Sequence, residues 1–182
     1  MKRKMQVSVS GGRTSAYMAW WLKNNMAEEY DMHFVFANTG QEHPDTYRFL
    51  AACDAAFDLG LALVECVVHA GRKGSTHKIV SHETANRTGG PFEAEIRKYG
   101  ISNATFIHCT REMKVNPMRS YARSIWPDED YEIAIGIRPD ETRRVSKNAA
   151  EQKIVYPLID MHLRYPDLPD KDFIVDWFTQ FS

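Results

Sequence analysis

Val7-Ser8-Val9-Ser10-Gly11-Gly12-Arg13-Thr14-Ser15 is the point at which an apolar run gives way to a glycine pair and then to a helical pattern. Upstream, Met5–Val9 predicts a short strand. Downstream, Tyr17, Met18, Trp21 and Leu22 recur at i, i+1, i+4 and i+5, which predicts one apolar face of a helix over Thr14–Met26. A strand feeding a helix through a tight glycine turn is the unit of folds built on parallel sheets, and in such sheets ligands bind outside the carboxyl ends of the strands. Gly11 and Gly12 present no Cβ to an approaching anion. The helix that follows offers amide groups and the positive end of its dipole. Ser10, Thr14 and Ser15 add hydroxyl groups and Arg13 adds a charge. The spacing is neither GxxxxGK[ST] nor GxGxxG. Ser-Gly-Gly alone describes an ordinary turn; its place between a first strand and a long helix makes it a candidate phosphate loop.

Working outward, Met32–Ala37 reads as a second strand that Asn38-Thr39-Gly40 ends. Pro44 suits the first turn of a helix running to about Phe57, and Leu61–Val68 reads as a third strand. Strand, helix, strand, helix, strand predicts an α/β fold: a doubly wound, mostly parallel sheet with helices on both faces. Residues 69–105 lose this rhythm. They hold Gly71, Gly74, Gly89, Gly90, Pro91 and Gly100, with a short helical pattern at Phe92–Lys98, and read as an irregular excursion covering the ligand edge. Beyond it the pattern predicts a helix over Arg111–Trp126 interrupted near Pro117, strands at Tyr131–Ile137 and Lys153–Tyr156, and a closing amphipathic helix from Asp172 to Phe181. Neither repeats nor low-complexity linkers break the 182 residues, which read as a single domain.

Composition narrows the function classes. Hydrophobic residues make up 43% and charged residues 26%, which excludes a disordered chain. The 23 Lys and Arg are balanced by 24 Asp and Glu, so the chain as a whole is not an electrostatic nucleic-acid binder, although this leaves room for a local basic patch. No apolar run reaches the ~20 residues of a membrane helix. Cys53, Cys66 and Cys109 form no CxxC; they suit a reducing compartment and are too few to ligate an iron–sulfur cluster. The expectation is a cytoplasmic protein without a membrane partner.

Ser10-Gly11-Gly12-Arg13-Thr14-Ser15 resembles the SGGxxS pyrophosphate loop (PP-loop) of the adenine-nucleotide α-hydrolases, which are Rossmann-like. Four further segments resemble one branch of that superfamily, the 3′-phosphoadenosine 5′-phosphosulfate reductase-like proteins, and especially the short forms of bacteriophages. Phe36-Ala37-Asn38-Thr39-Gly40-Gln41-Glu42-His43-Pro44-Asp45-Thr46 is similar to NTGxExPET. Cys109-Thr110-Arg111-Glu112-Met113-Lys114-Val115-Asn116-Pro117 is similar to CCxxxKxxP, and Gly136-Ile137-Arg138-Pro139-Asp140-Glu141 to GIRxDE followed by the basic Arg143 and Arg144. The last is Tyr156-Pro157-Leu158-Ile159-Asp160 ahead of an aromatic-bearing helix. The segments run in the order of the family across nearly the whole chain.

The resemblance implies an adenine nucleotide, ATP or a relative, held by Ser10 to Ser15, by Asn38, Thr39 and Gly40, and by Gly136 and Arg138. It further implies that Arg13, Lys114 and Arg138 stabilise charge at the α-phosphate, with Mg²⁺ on the phosphates and no iron–sulfur cluster. An acceptor is implied but not identified, and a protein partner or a homo-oligomer is compatible with it. Plainer readings stand beside these. Glu42 and Asp45 suit either a metal or the start of a helix. Arg138 either contacts an anion or pairs with Asp140 or Glu141 in a surface turn; Lys114 is either an anion ligand or a solvated helix lysine. The seven histidines form no close metal pattern, the four tryptophans suit core or interface, and Cys53 and Cys66 read as small buried hydrophobes. Reductases of this kind use a cysteine in an ECGxH-like tail, and no cysteine follows Cys109 here. The expected chemistry is therefore nucleotide cleavage or transfer at the α-phosphate. A reductase relying on a partner's thiol and a catalytically silent nucleotide sensor are the alternatives.

Overall fold

A computed structural model describes residues 1–102, 108–164 and 170–180. Six strands and six α-helices follow one another along the described residues. They are β1 (Arg3–Ser8), α1 (Arg13–Met26), β2 (Tyr30–Asn38), α2 (Pro44–Phe57), β3 (Ala62–Val67), β4 (Thr76–Val80), α3 (Gly90–Tyr99), α4 (Asn116–Ile125), β5 (Glu132–Ile135), β6 (Ile154–Val155), α5 (Pro157–Arg164) and α6 (Lys171–Thr179). The strands form one mostly parallel sheet in the order β4-β3-β2-β1-β5-β6. β1 runs parallel to β5, with Val7 opposite Ala134, and β2 runs parallel to β3, with Ala37 opposite Val64. β4 is the antiparallel exception, with Glu65 opposite Lys78.

The chain divides into two compact units, one of Met1–Phe34, Cys53–Gly60 and Asp130–Ser182, the other of Val35–Ala52 and Leu61–Glu129. In the first, Val7 and Ala134 are fully buried in the sheet, and α1 turns Ala16, Met18 and Leu22 inward. α6 lies on α1 through aromatic rings: Tyr17 meets Phe173 and Trp177 edge-on, at 5.7 and 5.1 Å between centroids. In the second unit Val35, Ala37, Ala62 and Val64 form an apolar cluster with Tyr121, against which Met118 and Ile125 of α4 pack.

The excursion after β3 is more regular than its composition suggests. Thr76–Val80 forms β4, which the sequence reading does not anticipate, and the helical pattern at Phe92–Lys98 lies within α3. The expected helix from Arg111 is not interrupted at Pro117. A π-helical turn, Arg111–Val115, passes directly into α4, where Pro117 occupies the first turn and its missing N–H costs nothing. The predicted strand at Tyr131–Ile137 is paired only over Glu132–Ile135. Residues 103–105 of the excursion and the predicted helix end at Phe181 lie outside the described residues.

The π-helical turn is tied to the start of β4 by a buried carboxylate. Burial alone would raise the pKa of Glu112, but hydrogen bonds donated by the Ser75 amide and hydroxyl, the Arg111 guanidinium and the Asn116 amide outweigh it and hold the carboxyl at about 2. A depressed pKa means stability that is present above the unfolded value and is lost as pH falls from about 4.3 towards 2. Glu112→Gln should therefore flatten the acid unfolding profile in that window, removing on the order of 3 kcal/mol of its pH dependence. Acid titration followed by circular dichroism checks this; an unchanged profile would remove Glu112 from the account.

Candidate functional site

The loop of the first unit leaves β1 at Ser8 and enters α1 at Arg13. Gly11 carries a φ of +77°, which an L side chain rarely adopts, so this glycine makes the turn. Gly12, the residue before the helix, is extended (φ −103°, ψ 155°), and a Cβ built on it would meet only Ser10 Oγ at 3.7 Å. The pair thus divides its work: Gly11 supplies conformation and Gly12 leaves open space. Ser15 fixes the loop from within. Its hydroxyl accepts from the Ser10 amide (2.9 Å), donates to the Gly12 carbonyl (3.0 Å) and lies 3.0 Å from Ser10 Oγ. No side chain caps the first turn of α1, and no acidic residue lies in it. Amide groups at such an uncapped helix start favour an anion. Arg13 is exposed beside them.

The end of β5 meets this loop. A Cβ on Gly136 would lie 3.0 Å from Ser15 Cα, so the glycine permits close approach of one backbone to the other. Arg138 follows, its side chain 17% exposed. Its Nε and Nη2 donate in parallel to the two carboxylate oxygens of Asp140, each at 2.9 Å, while Nη1 donates to Thr14 Oγ1 at 3.2 Å and lies 3.4 Å from Glu141 Oε2. Both sequence readings of Arg138 are thus present at once: it is paired with Asp140 and Glu141, and it also rests on the candidate loop. Two clefts of this unit, of about 460 and 510 Å³, share Arg3, Glu132 and Val155 and lie at the amino ends of β1 and β5, away from the loop.

Asn38, Thr39, Gly40 and Glu42 belong to the second unit, where Asn38 is a structural knot. Its amide donates to Glu65 Oε1 (2.7 Å) and to the Asn86 carbonyl (2.9 Å), and its carbonyl oxygen accepts from Tyr47 Oη (2.6 Å) and the Gly40 amide (3.1 Å). That uses both amide hydrogens and both lone pairs. Glu65, fully buried, also takes the Asn86 amide, and Lys78 Nζ lies 2.9 Å from its other oxygen. Gly40 has φ +77°, and a Cβ there would collide with Asn86 Oδ1 at 2.6 Å. Thr39 and Gly40 are buried beside Asn38. Glu42 accepts a hydrogen bond from Thr39 Oγ1 at 3.2 Å. Among the described residues no three His, Cys, Asp or Glu converge as a metal cage. Lys114 is exposed on the π-helical turn.

The thiols are disposed for packing. Cys53 and Cys66 are buried, and burial pushes each thiol up to about 11. Cys109 is partly buried, its Sγ in contact with Ser102 Oγ and 3.8 Å from Glu95 Oε2. Sequence reasoning offers Asp140 as a partner of Arg138 but not the reach of Arg138 to Thr14, and it misses Glu65 and Asn86 as partners of Asn38; only the hydrophobic surroundings of Glu65, a lone carboxylate inside a strand, signal it.

The Phosphoadenosine phosphosulfate reductase domain family matches residues 4–162. An uncharacterized nin region protein of Escherichia phage lambda, ORF290, is 33% identical over 144 residues, covering 76% of this chain; the chain spans 49% of that relative's length. Among solved structures, the phosphoadenylyl-sulfate (PAPS) reductase of Candida auris in its phosphate complex superposes with a TM-score of 0.55 at 13% identity, over 97% of this chain and 71% of that one. At that identity the likeness is one of fold. No helix among the described residues is long and apolar enough to cross a membrane.

Proposed function

Because the chain belongs to the phosphoadenosine phosphosulfate reductase domain family, we propose that it binds an adenine nucleotide at the Ser10–Ser15 loop and acts at its α-phosphate. The observation that carries this is the uncapped start of α1, fixed by Ser15, open at Gly12 and flanked by Arg138 on Thr14. Phosphoryl and adenylyl transfer need positioning and charge stabilisation more than a protein nucleophile. The loop amides and the Arg13 and Arg138 guanidiniums supply both, while an acceptor oxygen or water attacks the α-phosphorus and pyrophosphate leaves. Mg²⁺ fits as an ion that would arrive on the phosphates, since phosphate oxygens and retained waters supply most of its ligands. It would neutralise charge on the leaving pyrophosphate.

Buried, protonated Cys53 and Cys66 favour this chemistry over thiol attack. The family match itself favours a second reading, in which a sulfonucleotide is bound and a partner supplies the thiol. Two product assays on the purified chain separate them. Release of pyrophosphate from ATP, dependent on an added acceptor or water, is the expected result. Sulfite release from 3′-phosphoadenosine 5′-phosphosulfate with a dithiol reductant, and no pyrophosphate, would move the assignment to the second reading.

A further inference from the structure

We infer that the second unit carries a surface for the phosphodiester backbone of a nucleic acid, built on the β3–β4 loop, the π-helical turn and α4. The overall charge of −1 conceals a sharp local bias. Residues 66–82 contain Arg72, Lys73 and Lys78 and no acid; residues 109–127 contain Arg111, Lys114, Arg119 and Arg123 and one acid, Glu112. That one carboxylate is buried and ion-pairs with Arg111 at 2.9 Å, and Lys78 pairs with Glu65, so Arg72, Lys73, Lys114, Arg119 and Arg123 carry the local bias. Arg72, Lys73, Arg111, Lys114 and Arg123 are exposed and Arg119 is half-buried.

Contacts between these elements bring the cations onto one face. Ser75 bonds Glu112 and Gly74 lies against Asn116, which sets Arg72 and Lys73 beside Arg111. His77 Nδ1 is 2.9 Å from Ser120 Oγ, which sets β4 beside α4, where Arg119 and Arg123 stand one turn apart. Lys98 adds its charge by donating to the Lys73 carbonyl at 2.6 Å. Guanidinium forks predominate, and exposed Ser124 and partly exposed Asn116 and Ser120 supply neutral donors between them, the mixture that phosphate backbones take. A membrane-binding face would instead expose bulky apolar and aromatic residues beside its cations. Here Ile79 is the one large apolar residue of these elements that is strongly exposed.

The test is fluorescence anisotropy with a labelled mixed-sequence RNA of roughly 20 nucleotides and the matching DNA duplex, titrated with the full chain across a salt series. Binding in the micromolar range at low salt is expected, with log K falling against log salt at a slope of about −3 for the single strand, as four or five neutralised phosphates require. Arg119→Glu with Arg123→Glu should weaken it at least tenfold, as should Arg72→Glu with Lys73→Glu. Lys147→Glu, an exposed charge reversal in the other unit, should not. Gly12→Val should bind the nucleic acid like the parent, which keeps this surface distinct from the nucleotide loop. The two double variants probe the same face independently, and a thermal melt shows whether each is folded. No binding at low salt, or equal binding by a folded double variant and the parent, would overturn the inference. So would preferential binding to phosphatidylserine vesicles.

Discussion

Asn38→Ala is expected to cost about 3–5 kcal/mol of stability, the scale of breaking a buried, hydrogen-bonded charge network. The substitution removes two donors and one doubly used acceptor. It strips Glu65 of one of its partners while leaving the carboxylate fully buried, and it frees the Tyr47 hydroxyl and the Gly40 amide. Each orphaned group bears its own desolvation penalty. The melting temperature should fall by roughly 10 °C or more for a chain of this size. Thermal melts of parent and variant check this, with Thr39→Ser as a mild neighbouring control. A fall of less than about 2 °C would mean that the Asn38 bonds contribute little.

Gly12→Val is the second large effect, and it falls on binding rather than on folding. Gly12 is already extended, so valine suits its backbone, and the added Cβ meets nothing closer than Ser10 Oγ at 3.7 Å. The branched side chain would stand where a phosphate must approach the amides of α1. Nucleotide affinity should drop by at least a hundredfold. Saturating ATP should raise the melting temperature of the parent by several degrees through mass action and leave that of the variant where it is. Equal shifts in both proteins would place the phosphates elsewhere. Gly11→Val is a poorer probe, because the φ of +77° would strain any side chain and confound binding with folding.

Much of this was legible in the sequence because it is local. The strand, glycine turn and helix at Met5–Met26 declare themselves through period and punctuation, and the α/β class follows. The glycine pair was readable as an anion loop, but the division between Gly11 and Gly12 was not, since φ has no signature in residue type. β4 escaped notice because Thr76-His77-Lys78-Ile79-Val80 is an edge strand, half exposed, with neither an apolar run nor clean alternation. The internal bonds of Asn38 have no local signature, since its partners Glu65 and Asn86 lie 27 and 48 residues away. The Arg138–Asp140 pair was readable, being two residues apart; the reach of Arg138 to Thr14 spans 124 residues and required the fold.

The central claim is that the loop at Ser10–Ser15 binds an adenine nucleotide. Its most direct measurement is calorimetric titration of the folded parent with ATP in the presence of Mg²⁺. A saturable isotherm with one site per chain is predicted, weakened roughly ten- to a hundredfold by Arg138→Ala, the scale of a lost charge-assisted hydrogen bond. A folded chain that takes up no ATP at millimolar concentration, or an Arg138→Ala variant that binds it like the parent, would contradict the assignment of this loop.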